Sequence, residues 1–363
     1  MKILCVIDSL GSGGAQRQIV ELAKGFKENG HEVIFITYHA INFHKPDLDH
    51  NQIHVRTIIE PNYFKRLIKM RRVIRSYEPD AVLSFLEAAS FMATLAGFPF
   101  RKWRLVVGER NAKPDIATSF KKRFYRFFHL LSDFVVSNSY SNLKLVFKAN
   151  PLLKRNKTKV IYNIVDFEKF KKEHKIRFNK KTRIVVAASY FKKKNLDTLI
   201  NAVSKLTPNL KEQLVIDWYG NISKGNLYYQ ENENKIKELG LGNVLFLNDQ
   251  TNQITQKYLA ADFVGLFSHY EGFPNTICEA MALGKPVIVS KVSDVPLFIK
   301  ENTNGFLCDS KDVESIKNAL IKAINATHAQ RLEMGKKNYK TSIQTFNKKV
   351  IVDQYLKLLG DEK

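Results

Sequence analysis

The feature that most constrains this chain is the regular alternation of short apolar runs with helical periodicity. In the first half, strand candidates lie at 2–7, 32–37, 54–58, 81–85, 105–107, 134–136 and 159–162. Helical patterns separate most of them, for instance 15–28, stopped by Gly30. After residue 181 the rhythm resumes, with strands expected at 183–188, 214–218, 244–247, 263–267 and 286–289 and helices at 196–206, 230–239 and 315–324. Strands joined through helices pair in parallel, and the helices cover both faces of the sheet.

Residues 166–181, "DFEKFKKEHKIRFNKK", interrupt this rhythm with a charged, poorly periodic run that reads as a linker. A chain of 363 residues is too long for one ordinary core. The expected organisation is a domain over 1–165 and a second over 182–345. A closing helix within 346–363 is open to either domain, including by crossing back to the first. The fold class is α/β: two doubly wound, Rossmann-like domains facing a central cleft, with ligands bound beyond the carboxyl ends of the strands.

The net charge of +23 calls for an anionic partner: a nucleic acid, a phosphorylated ligand or the negative face of a membrane. Between residues 61 and 126 fifteen Lys and Arg face only five Asp and Glu, so much of the excess lies in the first half. No helix-turn-helix, zinc finger or aromatic RNA-binding strand motif accompanies it, which argues against nucleic acid. Cys5, Cys278 and Cys308 are few, scattered and set in apolar patterns, as expected of reduced core thiols in a cytosolic protein. The opening apolar run ends at Asp8 without a small-residue cleavage site, and no run approaches the roughly 20 residues of a spanning helix.

Three stretches that follow expected strands can carry chemistry. In "DSLGSGGAQRQ", 8–18, Gly11, Gly13 and Gly14 let the backbone approach a ligand at a helix N-terminus, or simply make a tight turn. Gln16 stands where a dinucleotide fingerprint needs glycine, and no Gly-x4-Gly-Lys-Ser/Thr loop occurs. In "AASYFKKKNLDTLINA", 187–202, the lysine triplet precedes Asn195, expected to cap the next helix, and suits a phosphate or a solvated surface. In "SHYEGFPNTICEAMALGKPVIVS", 268–290, Pro274 and Gly284 mark a helix start and stop, so backbone N–H groups around Gly272, Phe273, Pro274 and Asn275 can meet an anion. Glu279 lies inside this apolar helix, where a carboxylate needs a partner: an ion pair, or the two hydroxyls of a ribose.

The order and spacing of these segments resemble the retaining glycosyltransferases of family 4, which have the GT-B fold. The matching stretches are the glycine loop at 11–14, "SNSYSN" at 137–142, "VIYNIVD" at 160–166, "KKKNLDTLINA" at 192–202 and the Glu-x7-Glu pair with its trailing "EAMALGKPVI". The resemblance implies that Glu279 binds the donor ribose, Glu271 holds the sugar hydroxyls and Lys194 binds phosphate, with Gly13, Gly14 and Asn163 also on the donor side. The family's Arg-x4-Lys pattern has Ser189 in its first position here, and a nearby Lys192 or Lys193 is the available substitute. Where many members carry a His, this chain reads Gly108-Glu109-Arg110-Asn111, so Glu109, Arg110 and Asn111 become candidates for acceptor or sugar contacts, or for a structural ion pair.

The implied reaction moves a hexose or N-acetylhexosamine from a nucleotide diphosphate sugar, with uridine the commoner base, to an acceptor hydroxyl. It needs no cofactor and no metal; Asp47-Leu48-Asp49 lies away from any chosen strand end. A nucleotide-sugar epimerase or hydrolase of the same fold is the rival reaction. Two basic aromatic stretches, "YFKRLIKMRRVIRSY" at 63–77 and "SFKKRFYRFFHLL" at 119–131, read either as ordinary amphipathic helices or as contacts to an anionic membrane. Taken together they point to a lipid-linked or polysaccharide acceptor at the cytoplasmic face of the cell membrane, in surface glycan synthesis.

Overall fold

The computed structural model describes residues 1–167, 180–223 and 225–361, so most of the expected linker lies outside the described residues. The chain divides into two compact units, Met1–Ile164 together with the segment from Phe346 onward, and Val165–Thr345.

The first unit is built on seven parallel strands: β1 (Lys2–Val6), β2 (Glu32–Thr37), β3 (His54–Thr57), β4 (Ala81–Phe85), β5 (Arg104–Glu109), β6 (Phe134–Ser137) and β7 (Thr158–Val160). Their order is β3-β2-β1-β4-β5-β6-β7. Central β1 is flanked by β2 and β4, with Cys5 beside Phe35 on one side and Leu83 on the other. Strands covered on both faces need apolar side chains in both directions, which is why β4 is buried throughout. One face packs on Ile19, Leu22 and Phe26 of helix Gly14–Glu28 and on Ile351, Tyr355 and Leu359 of helix Lys348–Leu359. The two helices approach closely at Gly25, where an added Cβ would lie 2.4 Å from Val352. The closing helix thus belongs to the first unit's core. The other face is covered by Met70 and Ile74 and by helix Glu87–Gly97.

The second unit carries β8 (Thr182–Ala187), β9 (Leu214–Gly220), β10 (Leu245–Asp249), β11 (Phe263–Leu266), β12 (Val287–Ser290) and β13 (Gly305–Cys308), ordered β10-β9-β8-β11-β12-β13. Strand β13 and helix His328–Phe346 have no counterpart among the expected elements. The helix escapes a hydrophobic reading because its buried stripe, Met334, Asn338, Ser342 and Phe346, is half polar. Asn338 is buried because its Nδ2 donates to the carbonyls of Lys285 (2.8 Å) and Asn304 (2.7 Å). The three cysteines are free and buried, and burial pushes the Cys308 thiol up to about 12, leaving it unreactive.

In each sheet the strand order reverses once, between β1 and β4 and between β8 and β11. At such a switch point the connecting helices leave to opposite sides and the loops beyond the strand ends splay apart, which opens a crevice.

Candidate active site

The switch point of the second unit brings together the loops after β8 and β11. After β8 the chain makes a 3₁₀ turn over Lys192–Lys194 and passes through Asn195 in the left-handed region (φ 67°) into helix Leu196–Ser204. After β11 it runs through Ser268 to Glu271 and enters helix Asn275–Ala282 at Pro274. Lys194 Nζ lies 2.5 Å from Glu271 Oε1, and Ser268 Oγ donates to the same oxygen at 2.7 Å. The His269 N–H donates to the Lys193 carbonyl at 2.8 Å, so main chain as well as side chains join the two loops.

The Asn275–Ala282 helix has no side-chain cap at its N-terminus. The first N–H groups of any helix lack a carbonyl one turn back, and the dipole there favours an anion. Around it, Gly272 offers its carbonyl to Ser293 Oγ, Phe273 is buried against Phe298, and Asn275 is half-buried. Thr276 Oγ1 reaches the Ala187 carbonyl at 3.4 Å, tying this helix to the end of β8. Glu279 lies on the buried side, 9 % exposed, among Ile277, Cys278, Ala280 and Met281. Ser189 is exposed, and its carbonyl accepts from the Phe191 N–H at 2.8 Å. The site therefore assembles a held cation, a carboxylate and a helix start, a set able to take a phosphate and sugar hydroxyls.

One expectation here needs correcting. Asn195 occupies the N-cap position but makes no side-chain cap bond. Its Nδ2 instead donates to the carbonyls of Phe267 (2.9 Å) and Ser310 (2.7 Å). The left-handed backbone at Asn195 turns the amide away from the helix and towards its neighbours.

In the first unit, Gly13 and Gly14 stand at the N-cap and first position of helix Gly14–Glu28 in an exposed loop. The loop is braced at its base, where Asp8 Oδ1 accepts from the Ser9 N–H (2.7 Å) and Gln16 Nε2 (2.9 Å). A Cβ at Gly13 would lie 2.3 Å from Gln16 Oε1, so this position needs glycine while Gln16 folds back.

Glu109 does not offer its carboxylate to a ligand, as a direct contact requires. It is 4 % exposed, Oε2 accepts from Arg126 at 2.8 Å and Oε1 lies 2.7 Å from His129 Nε2. Arg126 is fully buried and also donates to Glu87 Oε1 at 2.9 Å. Burial raises the Glu109 pKa, but Arg126 and His129 overcome it and hold the carboxyl at about 2. Arg110 is likewise structural: it stacks over Phe85 (4.1 Å to the ring centre), donates to Asn163 Oδ1 at 3.0 Å and reaches the Tyr355 hydroxyl. Asn163 is buried with its amide oxygen taken by Arg110. Asn111 is half-buried and its Oδ1 accepts from the Lys113 N–H. Of the three candidates at the end of β5 and just beyond it, two are consumed by the fold.

The basic aromatic segments also divide. On helix Phe120–Phe127 and the turn that follows, Phe120, Phe124, Phe127 and Leu131 are exposed, 84 % at Phe120, alongside exposed Lys121 and Arg123. Arg126, one of the basic residues of the 119–131 stretch, is the buried ion just described, and Lys122 is paired with Asp115. On helix Tyr63–Ser76, Phe64 and Ile68 are exposed, whereas Arg71 and Arg75 donate to carbonyls at the end of helix Glu87–Gly97 and beyond it. No helix among the described residues is long and apolar enough to cross a membrane. Asp47 and Asp49 lie on helix Lys45–His50, beside His44 and Lys45 respectively. Among the described residues no group of three or more His, Cys, Asp or Glu is placed to hold a metal ion.

Two parallel α/β units of this order have the GT-B fold. The crystal structure of Anabaena Alr3699/HepE in complex with UDP and glucose superposes with a TM-score of 0.86 at 22% identity, covering 99% of both chains. The Glycosyltransferase Family 4 model matches residues 12–169 and the Glycosyl transferases group 1 model residues 166–341, so the chain is a glycosyltransferase and belongs to family 4. Its curated relatives include a Campylobacter jejuni enzyme, GalNAc-alpha-(1->4)-GalNAc-alpha-(1->3)-diNAcBac-PP-undecaprenol alpha-1,4-N-acetyl-D-galactosaminyltransferase, 26% identical over 100% of this chain and 99% of the relative. N-acetyl-alpha-D-glucosaminyl L-malate synthase from Bacillus anthracis is also 26% identical, over 94% of this chain and 92% of the relative.

Proposed function

We propose that the protein transfers a hexose or N-acetylhexosamine from a UDP-sugar to a hydroxyl of a lipid-linked acceptor, with retention at the anomeric carbon and without a metal ion. The observation that carries this reading is the Lys194–Glu271 pair beside the start of helix Asn275–Ala282. In the reaction the bond between the anomeric carbon and the β-phosphate oxygen breaks, and its electrons leave on the phosphate. Lys194 and the first-turn N–H groups receive that charge in a fixed site, where stabilisation costs no reorganisation. The acceptor oxygen bonds on the face the phosphate vacates, and its proton passes to the departing phosphate oxygen. Glu271 accepts hydrogen bonds from the sugar hydroxyls, and Glu279 from the ribose diol.

A UDP donor is supported by the fold neighbour, whose structure holds UDP and glucose. A lipid-linked acceptor is supported by the Campylobacter jejuni relative, whose name specifies an undecaprenol-linked one. The exposed Phe120, Phe124 and Phe127 beside Lys121 and Arg123 fit a surface that rests on anionic lipid at the cytoplasmic face.

Thermal shift with UDP, GDP and ADP tests the donor. At a hundred times the dissociation constant a ligand adds roughly 2.7 kcal/mol to stability. UDP is expected to raise the melting temperature and Glu279→Ala to abolish the rise. No shift with any nucleotide removes the reading.

A further inference from the structure

We infer that Asn195 is a positioning residue for phosphate recognition: it sets where the Lys194 ammonium stands by clamping the loops beyond β8, β11 and β13 together. The inference rests on the donor reading above. Asn195 is fully buried and the next residue after Lys194, so any shift of its backbone moves the lysine. The two bonds of its amide, to the carbonyls of Phe267 and Ser310, end on two other loops. Phe267 immediately precedes Ser268, whose hydroxyl holds Glu271, the partner of Lys194. One amide thus fixes the cation from its own side and the carboxylate from the other.

The surroundings leave the clamp little slack. His269 donates its N–H to the Lys193 carbonyl, and its Nδ1 lies 3.2 Å from Ser310 Oγ, so the same three loops meet a second time. Ser290, the last residue of β12, donates its hydroxyl to the Ser268 carbonyl at 2.7 Å. The backbone at Asn195 is left-handed, a conformation that glycine adopts most readily and that asparagine tolerates better than most residues. Glycine would satisfy the turn, so what asparagine adds is the side chain that reaches both neighbours. A lysine has a long flexible stem with four rotatable bonds, and a phosphate gains from it only if the ammonium is already in place.

The test separates the clamp from the turn. Dissociation constants of UDP and UMP are measured by calorimetry for the full chain, for Lys194→Met, for Asn195→Gly and for the double variant. The UDP/UMP affinity ratio reads the terminal phosphate, the group assigned to Lys194. Asn195→Gly keeps the backbone and is expected to lower that ratio at least fivefold, with UMP affinity within twofold of the parent. In the Lys194→Met background the same change is expected to lower it no further, since both act through one ammonium. An unchanged ratio in Asn195→Gly, or losses that add in the double variant, overturns the inference. If the glycine variant does not fold, Asn195→Asp keeps the size and the left-handed backbone but has no N–H to donate, and the same fall is expected. A parent protein that binds neither nucleotide overturns the UDP reading and this inference with it, and is recognised before any variant is made.

Discussion

Removing the buried guanidinium of Arg126 should destabilise the first unit by several kcal/mol, and the structure supplies two routes to the size. The first is Glu109. Held at about 2 against an ordinary value of 4.5 despite a burial that pushes it up, its carboxyl contributes on the order of 3 kcal/mol near neutral pH, the net of that burial and of what Arg126 and His129 together return. The second is general: breaking a buried pair by deleting one partner costs about 3–5 kcal/mol, because the other charge is left uncompensated. Arg126→Met is therefore expected to cost about 3 kcal/mol or more at pH 7. Glu109→Gln added to it should recover part of the loss by removing the stranded charge. The sign with pH follows from the depressed value: Glu109 contributes fully above pH 4.5, and its contribution fades as pH falls towards 2. Arg126→Met should thus lose less on acidification than the parent. Urea denaturation read by tryptophan fluorescence measures this, in a Trp218→Phe background that leaves Trp103, in the same unit as Arg126, as the only reporter. A cost below about 1 kcal/mol, or a double variant no better than the single one, refutes the reasoning.

Two further outcomes follow from the site and the surface. The parent protein should float with vesicles of anionic phospholipid at physiological salt, and replacing Phe120 and Phe127 together with Ser should leave it behind with melting temperature little changed, since both side chains are more than half exposed, whereas Phe124 packs on Phe91 and Phe128 and is left in place. A parent that stays wholly in solution sinks the membrane reading. Transfer from the donor identified by thermal shift should proceed unchanged in excess EDTA, because Lys194 and the helix start take the phosphate charge; loss of transfer restored by a divalent cation would replace that account.

The alternation of apolar runs and helical periods determined the parallel pairing, and every expected strand is present, because a doubly covered sheet requires apolar residues on both faces of each strand. The strand-to-helix turns were legible for a similar reason. Glycines 13 and 272, Pro274 and Lys194 mark strand-to-helix turns, and turn geometry is a local property. Glu279 was conspicuous because a carboxylate inside an apolar helix is costly wherever the chain puts it.

What the sequence left open were choices made by partners distant in the chain. Helix Lys348–Leu359 reads as amphipathic in isolation, and only tertiary contacts assign it to the first unit: its fit against Gly25, and its Tyr355 hydroxyl held by the Arg110 that stacks on Phe85. Arg126 looked like one more cation in a basic helix. It is buried because Glu87 and Glu109, from separate elements, converge on it to offset desolvation. Asn195 read as a cap, since a single sequence shows the residue type but not the sign of φ. Its left-handed backbone sends the amide to Phe267 and Ser310, which lie 72 and 115 residues away. Periodicity and turns are written in near neighbours and can be read along the chain. The satisfaction of buried charge and of buried amides is settled across it, and only the tertiary structure decided which of these polar groups hold the fold.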